Sequence, residues 1–176
     1  MSYYRFLFAA GLFSSMFIIA TVGMQMSNDS TDETRRLIYE NPLKSIEDLE
    51  KFVLEGEAIL SFPNDCLRME NKLDPSLGQK ANFVLWCDKN FPQNISIEWK
   101  FKPIKEPGLA ILFFSAKGLK GEDIFDPSLQ KREGIYKRYH SGDINTYHIS
   151  YFRRKHKKEK AFHTCNLRKS KGFKLC

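Results

Sequence analysis

Two alternating segments decide the fold of this sequence: His148-Ile-Ser-Tyr-Phe-Arg-Arg154 and Ala161-Phe-His-Thr-Cys-Asn-Leu-Arg168. A short and highly charged connection over residues 155–160 separates them. Polar and apolar side chains alternate along both segments, which is typical of β-strands with two different faces. The pattern therefore predicts a β-hairpin.

In one register of this hairpin the two faces differ sharply in polarity. The predicted cross-strand pairs are His148 with Arg168, Ser150 with Asn166, and Phe152 with Thr164. Because the side-chain period of a strand is two, a slip of one residue would mix polar and apolar groups on both faces, and burial selects against that slip. The face of the other parity is predicted to be the inner surface. Its members are Ile149, Tyr151, Cys165 and Leu167.

The polar face of the hairpin collects imidazole, hydroxyl, amide and guanidinium groups. Such a face is poorly suited to a core, since buried polar groups need partners, and it suits a polar ligand such as a sugar or a carboxylate. The loop Tyr139-His-Ser-Gly-Asp-Ile-Asn145 leads into the first strand and is expected at the rim of the same groove. The predicted carbohydrate-binding residues are His140, Asp143, Asn145, His148, Ser150, Asn166 and Arg168.

The chemistry of uronic acid polymers indicates which of these residues could be catalytic. Base-catalysed elimination on such a polymer needs a group that neutralises the carboxylate and a base near the α-proton. Asn166 and Arg168 suit the first task, whereas His148 and either Tyr139 or Tyr151 suit the second. The candidate catalytic residues are therefore His148 and Tyr139.

The loop Gly118-Leu-Lys-Gly-Glu-Asp-Ile-Phe-Asp126 has three carboxylates. A glycosidase needs two carboxylates at a defined separation across the sugar. No strand of this sequence carries the closely alternating acidic pattern of a sandwich-fold glucanase, so turn and capping roles are favoured for the loop. A turn role is likewise favoured for Asp143, over orienting a histidine or holding a cation.

Short β-type runs also dominate the rest of the chain, which contains 15 Phe, 7 Tyr and 2 Trp. Turn signals separate the predicted strands, which cover residues 58–62, 81–87, 95–101, 109–115, 145–154 and 162–168. Residues 45–54 are instead predicted to be helical, since Ile46, Leu49 and Val53 share one stripe. Many short strands with a high aromatic content predict an all-β sandwich of two sheets.

The N-terminal part of the sequence predicts export. Phe6 to Val22 has no charge and follows a weakly basic start, which suits a secretory signal better than a membrane span. We predict a signal peptide over residues 1–23, a flexible linker over 24–36 and a single domain over 37–176. An uncleaved N-terminal anchor is the alternative, and it would be the predicted contact with a membrane. The expected location is secreted or periplasmic.

The net charge of +7 is unevenly distributed. Residues 1–130 have 14 Lys+Arg and 18 Asp+Glu, a balance of −4, whereas residues 131–176 have 14 and 3, a balance of +11. The basic end favours an acidic polymer as partner, although the lysines of the hairpin connection alone are typical of a solvated turn. No nucleic-acid-binding signature appears, and no cysteine or histidine spacing fits a metal site. Neither nucleic acid, a metal nor a cofactor is expected, and the pairing of the four cysteines stays open.

Longer motifs resemble a known bacterial family. They are Asn41-Pro-Leu43, Phe83-Val-Leu-Trp-Cys87, Glu106-Pro-Gly-Leu109, Gly121-Glu-Asp-Ile-Phe-Asp-Pro-Ser-Leu129 and Tyr139-His-Ser-Gly-Asp-Ile-Asn145, followed by both hairpin segments through Ser170. They make nearly all of the chain after the linker similar to the YesU-like family, which has a domain of unknown function. The resemblance implies a concanavalin A-like lectin/glucanase jelly roll of two antiparallel sheets. It also implies an association with the breakdown of plant or algal polysaccharides, and it supplies no catalytic residue.

Family members continue past the position of Cys176, so the jelly roll is expected to be incomplete at its C-terminal end. Missing strands would leave open sheet edges, and this chain is therefore expected to be poorly stable. A cooperative thermal melt would contradict that expectation.

The sequence as a whole predicts an exported protein that binds an acidic, pectin-like or algal polysaccharide and, as a further hypothesis, cleaves it as a lyase or a glycoside hydrolase. The alternative is a carbohydrate-binding or structural β-sandwich protein without catalysis.

Overall fold

The computed structural model describes residues 36–154, 156–159 and 165–175, together with the backbone of Ser2 and Tyr3. Nearly all of the predicted signal peptide and of the predicted linker lies outside the described residues. Two compact units are present: Met1–Asn41 with Asn90–Lys102, and Pro42–Lys89 with Pro103–Cys176. Within the described ranges, no helix has the length and apolar character needed to cross a membrane.

Strands dominate the described chain, which confirms the predicted all-β class. The strands are β1 (Ser2–Tyr3), β2 (Arg36–Leu37), β3 (Phe52–Gly56), β4 (Ala58–Ser61), β5 (Arg68–Asn71), β6 (Phe83–Cys87), β7 (Ile95–Ser96), β8 (Leu109–Gly118), β9 (Ile144–Arg153), β10 (Asn166–Lys171) and β11 (Lys174–Leu175). A short α-helix, α1, covers Tyr136–His140, and 3-10 turns cover Glu47–Leu49, Pro75–Ala81 and Lys157–Glu159.

Three two-residue strands lie in the described part of the first unit. In it, β1 pairs in parallel with both β2 and β7, and the rings of Tyr39 and Phe91 lie 5.7 Å apart. The predicted strand over residues 95–101 is therefore shorter than expected, since only Ile95–Ser96 is paired. Residues 97–99 are half-buried but form no strand ladder. An alternating pattern indicates half-burial of side chains, and half-burial does not require pairing with another strand.

The second unit contains the antiparallel sheets. The largest has the order β11-β10-β9-β8, and β3 pairs with β6 while β4 pairs with β5. In the four-stranded sheet, the hairpin of β9 and β10 has the predicted register, with His148 opposite Arg168 and Ser150 opposite Asn166. On the other side of β9, Phe113 of β8 lies opposite His148. The predicted partner of Phe152, Thr164, lies outside the described residues.

The prediction of which hairpin face points inward is wrong. Ile144, Thr146, His148 and Ser150 are the buried residues of β9, whereas Leu167, predicted to be internal, is 63% exposed. Cys165 is exposed as well. A period of two fixes which side chains share a face, but it does not fix which face the rest of the unit covers.

An aromatic cluster covers this polar face. The ring of Trp86 on β6 lies 5.9 Å from Phe113 and 6.3 Å from Tyr139, and the rings of Phe113 and Tyr139 are 5.3 Å apart. Trp86 and Tyr139 are buried. The β3–β6 pair and helix α1 therefore pack on the same side of the four-stranded sheet.

The helix predicted over residues 45–54 is also wrong. Only Glu47–Leu49 forms a 3-10 turn, which Asp48 supports by accepting hydrogen bonds from the amides of Lys44 and Ser45 at 2.7 and 3.2 Å. The following residues form β3, with Val53 opposite Trp86. A ten-residue helix is marginal in isolation, and the ladder with β6 outweighs its local pattern.

Candidate functional site

The candidate site lies on the inner face of the four-stranded sheet. Side chains of one parity on β9 and β10 face inward here, and they alternate with exposed residues such as Leu167 and Lys169. This polar inner face consists of Thr146, His148, Ser150, Asn166, Arg168 and Ser170. Thr146 satisfies its hydroxyl locally by donating to the carbonyl of Phe114 at 3.1 Å. By contrast, His148 Nδ1 and the Ser170 hydroxyl have no hydrogen-bond partner among the described residues.

His148 lies at the centre of the polar inner face and has an exposed fraction of 0%. Its Nε2 lies 3.1 Å from the hydroxyl of Tyr136 on α1, and its ring packs 5.4 Å from that of Phe113. Its Nδ1 has no hydrogen-bond partner among the described residues. A buried imidazole nitrogen without a partner is uncommon, since buried polar groups are normally satisfied.

Tyr136, His140, His148 and Arg168 form a group that we call the histidine–arginine cluster. Tyr136 and His140 are four residues apart on α1, so they share one side of the helix, and their rings lie 4.4 Å apart. The Nδ1 of His140 contacts the Ser141 hydroxyl at 2.7 Å. Arg168 is directly opposite His148 in the ladder, and within the described part of the chain it forms no hydrogen bond or ion pair.

The electrostatics of the cluster keep both histidines neutral. Burial, helped by the charge of Arg168 and by that of His140 when it is protonated, lowers the pKa of His148 to about 4. Burial is also the main cause of a lowered pKa at His140, with Arg168 and Lys137 adding to it. Arg168 is therefore the permanent charge of the cluster, and it lacks an acidic partner among the described residues.

The structure does not bring Tyr139, the second predicted catalytic residue, to His148. The Tyr139 hydroxyl donates to Glu55 at 2.5 Å and accepts from the amide of Gly134 at 2.9 Å. Burial and the neighbouring Glu55 carboxylate raise the pKa of Tyr139 well above its usual value. Tyr136, one helical turn earlier, takes the place expected for Tyr139, and its spacing of four from His140 is the signal that could have revealed it.

Glu55 is the acceptor of a buried network that sequence reasoning missed. Its carboxylate pairs with Arg132, through Nη2 and through Nε at 3.2 Å, and also accepts from Trp86 Nε1 at 3.1 Å. The exposed fractions are 4% for the Arg132 side chain and 14% for that of Glu55. Because Tyr139 donates to the same carboxylate, this network fixes the turn that precedes α1.

The turn into α1 needs left-handed backbone. Glu133 and Gly134 have φ values of 52° and 75°, and the amide of Ile135 donates to the carbonyl of Arg132 at 2.9 Å, which closes a turn of the type that glycine favours. The amide of Lys137 donates to the Gln79 side chain at 3.0 Å. These bonds hold Tyr136 and His140 over β9.

The remaining predicted binding residues divide into two groups. Ser150 is buried and Asn166 is half-buried, both on the polar inner face. Asp143 instead accepts from the amide of Gln130 at 2.7 Å, and its Oδ1 and the Oδ1 of Asn145 have no partner in the described structure. Asn145 lies on the parity opposite to His148, so it borders the site rather than sharing its face.

The acidic loop before residue 127 serves as a series of turns. Glu122 accepts from the amide of Lys120 at 2.8 Å, Asp123 from that of Phe125 at 2.9 Å, and Asp126 from that of Ser128 at 2.8 Å. These local bonds confirm the turn interpretation.

Two further features bear on ligands. Among the described residues, no group of three or more His, Cys, Asp or Glu side chains is arranged to hold a metal ion. At the charged hairpin end, Arg153 pairs with Glu159 at 2.6 Å, so part of its basic charge is neutralised within the chain.

Fold and site together define an antiparallel β-sandwich protein with a polar, partly unsatisfied inner sheet face. The chain belongs to the family described as a domain of unknown function (DUF1961), whose profile matches residues 36–176. It is 51% identical over 138 residues to the uncharacterized protein YesU of Bacillus subtilis strain 168, covering 78% of this chain and 60% of that protein.

A solved structure agrees with this fold. A Bacillus subtilis protein of unknown function with a galectin-like fold matches with a TM-score of 0.67 and 47% identity, covering 78% of this chain and 60% of that one. The predicted jelly-roll type of sandwich is thereby confirmed. The chain spans 60% of the length of each of these relatives.

Proposed function

We propose that this chain is an exported carbohydrate-binding protein whose ligand is an acidic, polyuronate-type polysaccharide. The galectin-like fold of its relative is consistent with carbohydrate binding. The acidic character of the ligand and the export of the chain are our own inferences. Export rests on the uncharged segment from Phe6 to Val22, and the N-terminal sequence of the chain recovered from its host would test it.

The observation that carries the proposal is the guanidinium of Arg168, which has no hydrogen-bond or ion-pair partner in the part of the chain that the structure describes. It is half-buried on the inner face, opposite His148, with no acidic partner among the described residues. Burying a charge is costly unless an opposite charge accompanies it. A ligand carboxylate would supply that charge, and guanidinium groups bind carboxylates through paired, charge-assisted hydrogen bonds.

The neutral histidines favour the same ligand. Because burial lowers the pKa values of His140 and His148, both imidazoles keep one donor and one acceptor nitrogen at neutral pH. On His140, which is half-buried, that pairing suits sugar hydroxyl groups, which both donate and accept. His148 is fully buried, so it can act on a ligand only through Tyr136. The half-buried ring of Tyr136 adds an apolar surface against which a sugar can pack.

Calorimetric titration of the chain with oligogalacturonate tests the proposal, with a neutral galactan oligomer as the ligand control. Arg168→Gln should weaken oligogalacturonate binding at least about tenfold, since a charge-assisted hydrogen bond contributes about 1.5–3 kcal/mol. Lys169→Gln is the matched control variant, because it removes the same charge from the next residue, on the outer face, where Lys169 lies 5.3 Å from the Tyr147 ring.

The control should bind within about twofold of the original chain. Equal losses in the two variants would mean that binding depends on net charge alone, and equal affinity for galactan would exclude an acidic ligand as the preferred one.

A further inference from the structure

We propose that Tyr136 and His148 form a proton-transfer pair that cleaves the bound polyuronate by β-elimination, with Tyr136 as the catalytic residue. This inference rests on the proposed function, because it requires the ligand carboxylate to occupy Arg168. It differs from the expectation drawn from the sequence, in which Tyr139 was the candidate hydroxyl.

Geometry selects Tyr136 over its neighbours Tyr139 and Tyr147. Its hydroxyl lies 3.1 Å from His148 Nε2, which is within the range for direct proton transfer. Tyr139 is fully buried, and its hydroxyl is held by Glu55 and the Gly134 amide. Tyr147 lies on the outer face, stacked 5.5 Å from Phe114. Since His148 is fully buried and Tyr136 is only half-buried, Tyr136 is the member of the pair with surface exposed to a ligand.

Elimination needs a proton to leave the carbon next to the carboxylate. In the His148 tautomer that is protonated at Nδ1, Nε2 accepts the phenolic proton of Tyr136 while the Tyr136 oxygen takes the proton from C5 of the uronate. The C5–H electron pair forms the C4=C5 double bond, and the C4–O bond of the glycosidic linkage breaks. The leaving oxygen then receives a proton from Tyr136, and His148 returns its proton to the phenolate.

This sequence of steps is balanced, because it consumes no water, oxidant or reductant. Its products are one new reducing end and one unsaturated uronate. The negative charge that develops on the carboxylate as C5 loses its proton needs electrostatic stabilisation. Arg168 lies directly across the ladder from His148 and can provide it. Burial is the main cause of the low pKa of His148 and the charge of Arg168 is the second. A carboxylate bound to Arg168 would offset that second contribution, which makes the imidazole a better proton acceptor when the ligand is present.

The experiment follows two signals with polygalacturonate as the substrate: ultraviolet absorbance of the unsaturated product and calorimetric binding of oligogalacturonate. The original chain should bind and generate the absorbance. Tyr136→Phe should bind within about twofold and lose at least about a hundredfold in the rate of absorbance increase, the usual contribution of a general acid–base group. Tyr147→Phe is the matched control, since it removes a hydroxyl one residue from His148 on the opposite face, and it should retain the full rate.

Each other outcome overturns a defined part of the inference. Binding without product absorbance excludes elimination and leaves the proposed binding function standing. New reducing ends without absorbance indicate hydrolysis instead. A Tyr136→Phe variant that keeps its rate excludes Tyr136 as the catalytic residue, and a chain that binds no acidic oligomer refutes the proposed function and this inference together.

Discussion

The buried carboxylate of Glu55 allows a sharp test of how the site is held. Glu55→Gln preserves the shape of the side chain but removes its charge. Arg132, whose side chain is 4% exposed, would then be a buried cation without a counter-charge. Breaking a buried pair by removing one partner costs about 3–5 kcal/mol. The loss in the free energy of unfolding for Glu55→Gln should lie near the lower limit, because a glutamine oxygen can still accept hydrogen bonds from Trp86 and Tyr139.

The same strand region provides a matched control. Glu57 pairs with Lys72 at 2.8 Å, but the two side chains are 50% and 58% exposed. Surface ion pairs contribute at most about 1 kcal/mol, so Glu57→Gln should cost no more than that. Each variant loses one carboxylate, and the two positions are two residues apart in the chain. The two carboxylates differ mainly in how deeply they are buried. Urea unfolding followed by tryptophan fluorescence would measure the difference in the free energy of unfolding.

Two results would refute this reasoning. Similar losses in Glu55→Gln and Glu57→Gln would mean that burial of the Glu55–Arg132 pair has little energetic effect. The double variant Glu55→Gln/Arg132→Met should recover part of the stability lost in Glu55→Gln, because it removes the unpaired cation. The pairing would be contradicted if the stability lost in the double variant equalled the sum of the losses in Glu55→Gln and in Arg132→Met measured separately.

Two further predictions concern pH and backbone conformation. The folded chain holds the pKa of His148 at about 4 against an ordinary 6.5, so the unfolded chain takes up this proton first. As the pH decreases from 6.5 to 4, the free energy of unfolding should therefore fall by about 3 kcal/mol more in the original chain than in His148→Gln. Above pH 6.5 the two chains should show no difference. Parallel pH profiles of urea unfolding would contradict this prediction. Gly134→Ala should cost more than about 1 kcal/mol, since its φ is +75° and a Cβ would lie 2.0 Å from the Asn82 carbonyl oxygen. Gly121→Ala is the control, because Gly121 has a φ of +93° but lies in open space, so the variant has the backbone strain without the clash. Equal shifts of the thermal melts of Gly134→Ala and Gly121→Ala would refute the argument that the clash with Asn82 matters.

Much of the fold followed from local pattern. The alternation of the hairpin segments predicted β9 and β10 and the pairing of His148 with Arg168, because a register shift of one residue would have mixed the two faces. The turn roles of Asp123 and Asp126 were also predictable, since each bond closes within two residues. The helix predicted over residues 45–54 failed because the pairing of β3 with β6 depends on a partner about thirty residues away, as the bond between Trp86 and Glu55 illustrates.

The site was only partly predictable for the same reason. Sequence reasoning identified His148, His140 and Arg168, which the structure brings together, but it chose Tyr139 where the structure places Tyr136. The choice depends on which way the short helix α1 faces. That orientation is set by Glu55 and Arg132, which are 77 residues apart in the chain. No local sequence pattern predicts that these two residues pair.

The sequence by itself determined which side chains share a face, how the hairpin strands pair and to which family the chain is similar, because these follow from a period of two and from contiguous motifs. Only the tertiary structure decided that the polar face lies inside, that Tyr136 reaches His148 and that Arg168 lacks an acidic partner among the described residues. Those outcomes depend on what packs over the sheet, and packing joins residues that are distant in the chain.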